Sequence, residues 1–165
     1  MRPAKALRLS QLAELEREEM LAACRRLTGA IYEGLDVDLE IRAVCDQQLG
    51  EVVLLEEDGV LTGVAVCHQG PGTEAGSGAC YVKFAATLPG PKAAQHFRRL
   101  LDACEALAAD QGLLRLVAGV NTARQEAYRS MLDRGFRTNL QGVAMQRGGD
   151  AGYNRPDVFL IDDWR

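Results

Sequence analysis

The chain has only two histidines, His68 and His96, and no Cys-x-x-Cys pair among its five cysteines. Cys24, Cys45, Cys67, Cys80 and Cys104 are odd in number and widely separated, so neither a zinc site nor a disulfide framework is expected. Cys67, Cys80 and Cys104 sit in apolar contexts and read as small buried hydrophobes. No apolar run approaches the roughly 18–20 residues that span a bilayer. The start, Met1-Arg2-Pro3-Ala4-Lys5, is not followed by the apolar core of a secretory signal. The expected location is therefore the cytoplasm. An excess of basic residues is also missing: 19 Lys and Arg stand against 23 Asp and Glu, a net charge of −4. That balance argues against nucleic acid or an anionic membrane as the main partner. No Gly-x-Gly-x-x-Gly occurs, which disfavours a doubly wound nucleotide-binding domain. With no internal repeat and no break in composition, residues 1–165 read as one domain.

What is present is 47% apolar residues, ample for a core at this length. Leu12, Leu15, Met20, Ala23, Cys24 and Leu27 recur at three- and four-residue steps and predict a helix from Ser10 to Thr28. Tyr32 to Glu40 reads as an acidic linker or the start of a second helix. Glu51–Glu56 and Val60–His68 read as a hairpin turned at Asp58-Gly59, which tolerate positive φ. The glycine-rich stretch Gln69–Gly78 is a loop. A strand at Ala79–Thr87, the break Leu88-Pro89-Gly90-Pro91, a helix at Lys92–Gln111 and a strand at Leu113–Ala118 follow. Pro91 suits the first helical turn. The buried stripe of the long helix is Ala93, Phe97, Leu100, Leu101, Cys104, Leu107 and Ala108. Thr122-Ala123-Arg124-Gln125 fits a capping box before a last helix, with Ala127, Tyr128, Met131 and Leu132 facing inward and Gly135 as its stop. Strands are expected at Thr138–Arg147 and Asp157–Ile161. The order implies an α/β chain of α+β type. Its sheet is mixed and mostly antiparallel, with one parallel strand–helix–strand crossover and helices on both faces.

A strand that feeds a helix start aims unpaired amides and the positive end of the helix dipole at whatever lies beyond the strand. This suits a phosphate, although the loop here lacks the glycines that let a phosphate approach the backbone. Other polar residues stand out with two readings each. His68 ends a strand beside the glycine loop, as a titratable group or as ordinary surface. Lys83 shares an alternating face with Tyr81 and Ala85, pointing into an open cleft or snorkelling past a helix. Glu33, Asp36, Asp38 and Glu40 are candidates for a base or a solvated loop.

From Glu51 to Ile161 this order resembles the GNAT superfamily of acetyl-CoA-dependent N-acyltransferases. Two marks carry the resemblance: the ungapped spacing from Pro89 to Leu100-Leu101, and Asn121 followed by a helix with Ala127 and a closing Gly135-Phe136. The family's Arg/Gln-x-x-Gly-x-Gly/Ala loop falls on Lys92 to Phe97, with Gln95 and Phe97 where glycine or alanine is usual, so the pyrophosphate loop is degenerate. The resemblance implies a GNAT-like sheet and acetyl-CoA as co-substrate. It implies pantetheine pairing to the backbone of Ala85, Ala86 and Thr87, and a pyrophosphate on the amides of Lys92, Ala93, Ala94, Gln95, His96 and Phe97. Asn121 would bind pantetheine or a water, or belong to the helix cap. The family's acid, often Tyr, falls on Met131, and Tyr128 one turn earlier is the candidate acid or a core aromatic. Phe97 either blocks the cradle or turns into the core. The activity implied is acetyl transfer to a primary amine of a small molecule or peptide, a cationic one if the acidic linker faces it. The alternative is a non-catalytic binding or dimerisation module on the same fold. The partners expected are that amine and a second copy of the chain; no metal is expected.

Overall fold

A computed structural model describes residues 4–145 and 148–162. Strand β1 (Lys5–Arg8) and a single 3-10 turn lead into helix α1 (Glu14–Ile31), followed by helix α2 (Asp38–Asp46). The acidic stretch is thus a linker up to Val37 and a helix beyond it. Strands β2 (Gly50–Glu57) and β3 (Val60–Gly70) form the expected hairpin, and both Asp58 and Gly59 have positive φ, 51° and 78°. Then come strand β4 (Gly76–Thr87), helix α3 (Ala93–Asp110), strand β5 (Arg115–Ala118), helix α4 (Gln125–Asp133) and strand β6 (Leu160–Asp162).

The sheet runs β1-β2-β3-β4-β5, antiparallel except for the parallel pair β4–β5. β4 is the hinge of the architecture. Along its outer edge Ala79–Val82 pair with Arg115–Ala118 of β5, and Phe84–Ala86 pair antiparallel with Leu160–Asp162 of β6. A bulge sits between these two zones: Cys67 faces Val82 and Val66 faces Phe84, leaving Lys83 as an extra residue. Consequently Phe84 and Ala86 pack toward α1 and α2, whereas Cys80, Val82 and Ala85 pack toward α3 and α4. The expectation that Lys83 shares a face with Ala85 is therefore corrected by the bulge, which places Ala85 on the opposite side.

Every residue of the anticipated α3 stripe is buried, including Phe97 at 0% exposure. Cys67, Cys80 and Cys104 are fully buried in the same core, with the Cys67 and Cys104 sulfurs 4.0 Å apart. Contact with the Cys104 sulfur and burial both push the Cys67 thiol above its ordinary value, so it packs as a hydrophobe rather than reacting. α4 ends as anticipated: Gly135 has φ 100°, its amide donates to Leu132 O (2.9 Å) and that of Phe136 to Met131 O (3.1 Å).

Four local expectations fail. Pro91 precedes the N-cap, Lys92, instead of entering the first turn. No capping box opens α4; its N-cap is Arg124, which has no side-chain cap bond because its guanidinium is drawn into the core. Leu132 is 42% exposed, so the inward face of α4 is left to Ala127, Met131 and the half-buried Tyr128. Finally, residues 138–145 of the expected strand Thr138–Arg147 form no regular structure, and Leu140, Val143 and Met145 are exposed. The last two residues of that stretch lie outside the described residues. β6 pairs with β4, and no ladder among the described residues includes this segment.

Candidate active site

The loop after β4 carries the chain directly into α3. Leu88 N donates to Thr62 O (2.9 Å), Ala93 N to Gly90 O (3.0 Å), and the Thr87 hydroxyl to Ala93 O (3.4 Å), so the strand end and the helix start are tied together. The Ala93 amide is thus taken by Gly90 O, and that of His96 donates to Lys92 O (2.9 Å), which leaves Ala94 and Gln95 as the first-turn amides without a partner inside the helix. Phe97 does not cover them. Its ring turns into the core and lies 5.4 Å, centroid to centroid, from Phe159.

The side chains around this helix start converge on a carboxylate that sequence reading did not single out. Glu57, at the end of β2 and 7% exposed, accepts from Lys92 Nζ at 2.9 Å and from Arg99 Nη1 at 3.4 Å. His96 Nε2 lies 3.1 Å from Oε2, the same oxygen that Lys92 meets. The hydrogen bond from Lys92, then that from His96, lower the Glu57 pKa from 4.5 to about 2. Lys92 and Arg99 remain partly exposed, with side chains 44% and 35% accessible, while their charged ends meet Glu57.

A groove of about 450 Å³ opens from this region between α3 and α4, lined by Ala94, Arg98, Glu126, Arg129, Ser130, Asp133 and Arg134, with Phe159 among them. Its walls are fixed to each other: Arg134 bridges to Glu105 (2.6 Å) and to Asp102 on α3. Ser130 Oγ is buried there without a hydrogen-bond partner among the described residues.

At the base of this groove the β4 edge is occupied. Ala85 and Ala86 pair with Ile161 and Leu160, and Thr87 N donates to Phe159 O at 3.1 Å. The backbone of Ala85, Ala86 and Thr87, expected to meet a pantetheine arm, is paired here with the chain's own β6. A buried network clamps β6 in place. Arg124, 1% exposed, meets Asp162 at 2.8 Å, donates to Leu160 O (2.9 Å) and to Asn154 Oδ1 (2.8 and 3.1 Å), and lies 5.1 Å over the Tyr153 ring. The Tyr153 hydroxyl donates to Asp162 at 3.1 Å. Only tertiary structure reveals this network; in the sequence Arg124 sits among ordinary helix-start residues.

Asn121 is engaged locally. Its Oδ1 accepts from Ala123 N (2.9 Å) and its carbonyl from Arg124 N (3.0 Å), a turn that launches α4. Tyr128 is half-buried on α4. Gln95 is exposed, His96 buried, and Ala93 buried at the first turn. The structure thus brings Lys92 and His96 to Glu57 and Ala94 to the groove, while Gln95 faces outward and Phe97 enters the core. Ala85 to Thr87 lie beneath β6, and Asn121 and Tyr128 belong to the α4 side.

No protein-family model matches the sequence, and no curated protein matches it. Solved structures do. The wild-type protein TTHA1254 of Thermus thermophilus superposes with TM-score 0.58 at 23% identity, over 81% of this chain and 94% of that one. An acetyltransferase of Trypanosoma brucei gives 0.59 at 16% identity, over 88% and 100%. The aminoglycoside N-acetyltransferase AAC(6')-Iy, in complex with the bisubstrate analogue CoA-S-monomethyl-acetylneamine, gives 0.61 at 12% identity, over 90% and 100%. This chain has the GNAT fold. Within the GNAT fold its mixed sheet, the parallel β4–β5 pair and the flanking helices match the architecture implied by the Pro89 to Leu101 spacing. No helix among the described residues is long and apolar enough to cross a membrane.

Proposed function

We propose that this chain is an acetyl-CoA-dependent N-acetyltransferase acting on a primary amine of a small molecule or peptide. The observation that carries this reading is the open start of α3: amides cleared by the inward turn of Phe97, flanked by Lys92 and Arg99, and continuous through Ala94 with the α3–α4 groove. There the amides of Ala94 and Gln95 and the positive end of the helix dipole would hold a diphosphate, with Lys92 and Arg99 shared between it and Glu57. The co-substrate supplies an acetyl group already activated as a thioester. Tyr128 is assigned the role of acid toward the departing thiolate, and Asn121 that of binding the pantetheine arm or a water. The pantetheine arm does not fit the β4 edge while β6 holds Ala85–Thr87, so binding requires β6 to release that edge. Apparent affinity then falls by the fraction of molecules in which it is released. AAC(6')-Iy, which shares the fold, is described bound to a CoA-linked aminoglycoside analogue, which supports an amine acceptor as the class.

A second reading has its own observation. The pairing of β6 with β4 favours a non-catalytic module in which the fold persists as a binding or dimerisation unit. The exposed Leu140, Val143 and Met145 favour association with a second copy under either reading; sedimentation velocity of the full chain tests it. Thermal unfolding with acetyl-CoA separates the two readings. A ligand at 100 times its dissociation constant adds about 2.7 kcal/mol. A rise in Tm that grows with acetyl-CoA supports the transferase. No rise at millimolar acetyl-CoA overturns it in favour of the module.

A further inference from the structure

The sheet face opposite the groove carries a histidine that nothing above uses. His68 on β3 is 5% exposed, and neither ring nitrogen has a hydrogen-bond partner among the described residues. Its cross-strand neighbours are Gly50 on β2, which offers no side chain, and Tyr81 on β4, whose ring meets it edge-on at 6.4 Å. A buried donor or acceptor left unpaired destabilises a fold. Such a ring persists where its polar atoms have something to meet.

The surroundings define what that is. Lys83, the extra residue of the β4 bulge, is 7% exposed and its Nζ donates to Glu74 Oε1 at 2.5 Å. Glu74 is held over the face by a turn in which Gly70, Gly72 and Gly76 all have positive φ, and in which Thr73 Oγ1 donates to Gly70 O (2.8 Å). The charged groups that act electrostatically on His68 are Glu74, from this turn; Lys83, from β4; and Glu40, from α2. Two carboxylates against one ammonium favour a cation, and a neutral imidazole beside them can take a proton. Burial, the leading cause, together with Lys83 lowers the His68 pKa from 6.5, against the opposing pull of Glu74 and Glu40.

Lys83 also marks a position on the sheet. On its N-terminal side Val82 pairs with Ala118, the last residue of β5; on its C-terminal side Phe84 pairs with Asp162, the last residue of β6. The β4 edge is thus bridged by neither strand at Lys83, between the groove on one face and His68 on the other.

We infer that the acceptor amine binds as an ammonium beneath the 70–76 turn, where Glu74 recognises its charge and His68 accepts its proton. This rests on the transferase reading for the chemistry, though not for the binding. The balance is complete: R–NH3+ gives one proton to His68, and the freed nitrogen pair attacks the acetyl carbonyl carbon. An N–C bond forms, the C–S bond breaks, the thiolate takes a proton, and His68 returns its own to solvent.

The test uses the full chain and n-butylamine as the ammonium probe. Histidine ring NMR is followed over pH with and without millimolar n-butylamine. The His68 signals should titrate below pH 6.5 and shift on adding the amine, and in Glu74→Gln binding should weaken about tenfold or more. With acetyl-CoA present, kcat/KM should fall on the acid side in the wild type. His68→Asn should lower it by about 100-fold or more and abolish that acid limb, and His68→Gln should do the same if the Asn variant folds poorly. Ring signals indifferent to n-butylamine overturn the proposal, and so does an acid limb that survives in both variants. An amine that shifts His68 in a protein with no response to acetyl-CoA upholds the site while removing the transferase reading.

Discussion

Arg124 and Asp162 shield one another from water. Their side chains are 2% and 9% exposed, and Nη1 lies 2.8 Å from Oδ1. The pair links the start of α4 to the last described strand. Removing one partner of a buried pair leaves the other charge desolvated and uncompensated.

Asp162→Asn is accordingly expected to lower unfolding stability by about 3–5 kcal/mol, measured from the urea midpoint. In the same variant the Thr87 amide, which donates to Phe159 O, should exchange with deuterium faster than the β3–β4 amides do. Equal protection of both would mean that β6 is held by something other than this pair.

Phe97→Gly should lose about 3–5 kcal/mol from the emptied core position and about 1 kcal/mol more from glycine within a helix. Because the ring already points inward, acetyl-CoA binding in calorimetry should not improve. A gain in affinity would show that Phe97 obstructs the helix start.

The acid side of the stability curve should belong to Glu57. The unfolded chain takes up this proton near pH 4.5, while the folded protein holds it off until about pH 2. Stability from this cluster is therefore complete above pH 4.5 and is lost as pH falls toward 2. Urea midpoints recorded against pH should show that slope in the wild type and a shallower one in Glu57→Gln. His68, lowered by burial, adds a separate loss that begins below pH 6.5, which His68→Asn removes.

Tyr128→Phe tests the assigned acid. The change keeps the ring and removes only the hydroxyl of a half-buried residue, so stability should stay within about 0.5 kcal/mol. Turnover with acetyl-CoA should drop by about 100-fold. An unchanged kcat would transfer the role to water or another group.

Local signals in the sequence proved legible where one residue type has one physical use. Asp58-Gly59 meant a hairpin because both positions need positive φ, and the stripe from Ala93 to Ala108 meant a buried helix face because nothing else spaces apolar residues so. Gly135 stopped α4 for the same reason. Thr138–Arg147 misled because composition reports what a chain could pair with, and cannot report whether a neighbouring strand is present. Glu57 and Arg124 were illegible because their partners lie 35 to 42 and 29 to 38 positions away in the chain. Tyr128 and Asn121 were placed by resemblance, and their positions on the α4 side leave their roles to kinetics. The β4 bulge was invisible, since one added residue leaves the composition of a strand unchanged.

That added residue has a consequence for how the chain tolerates change. A strand running Tyr81-Val82-Phe84 would keep every flanking side chain on the side it now occupies, because Lys83 and Phe84 together stand opposite the single residue Val66. The architecture would be satisfied by a chain one residue shorter. Loss of this codon should therefore yield a well-folded protein in which β5 and β6 abut along a continuous edge, stripped of the opening between them.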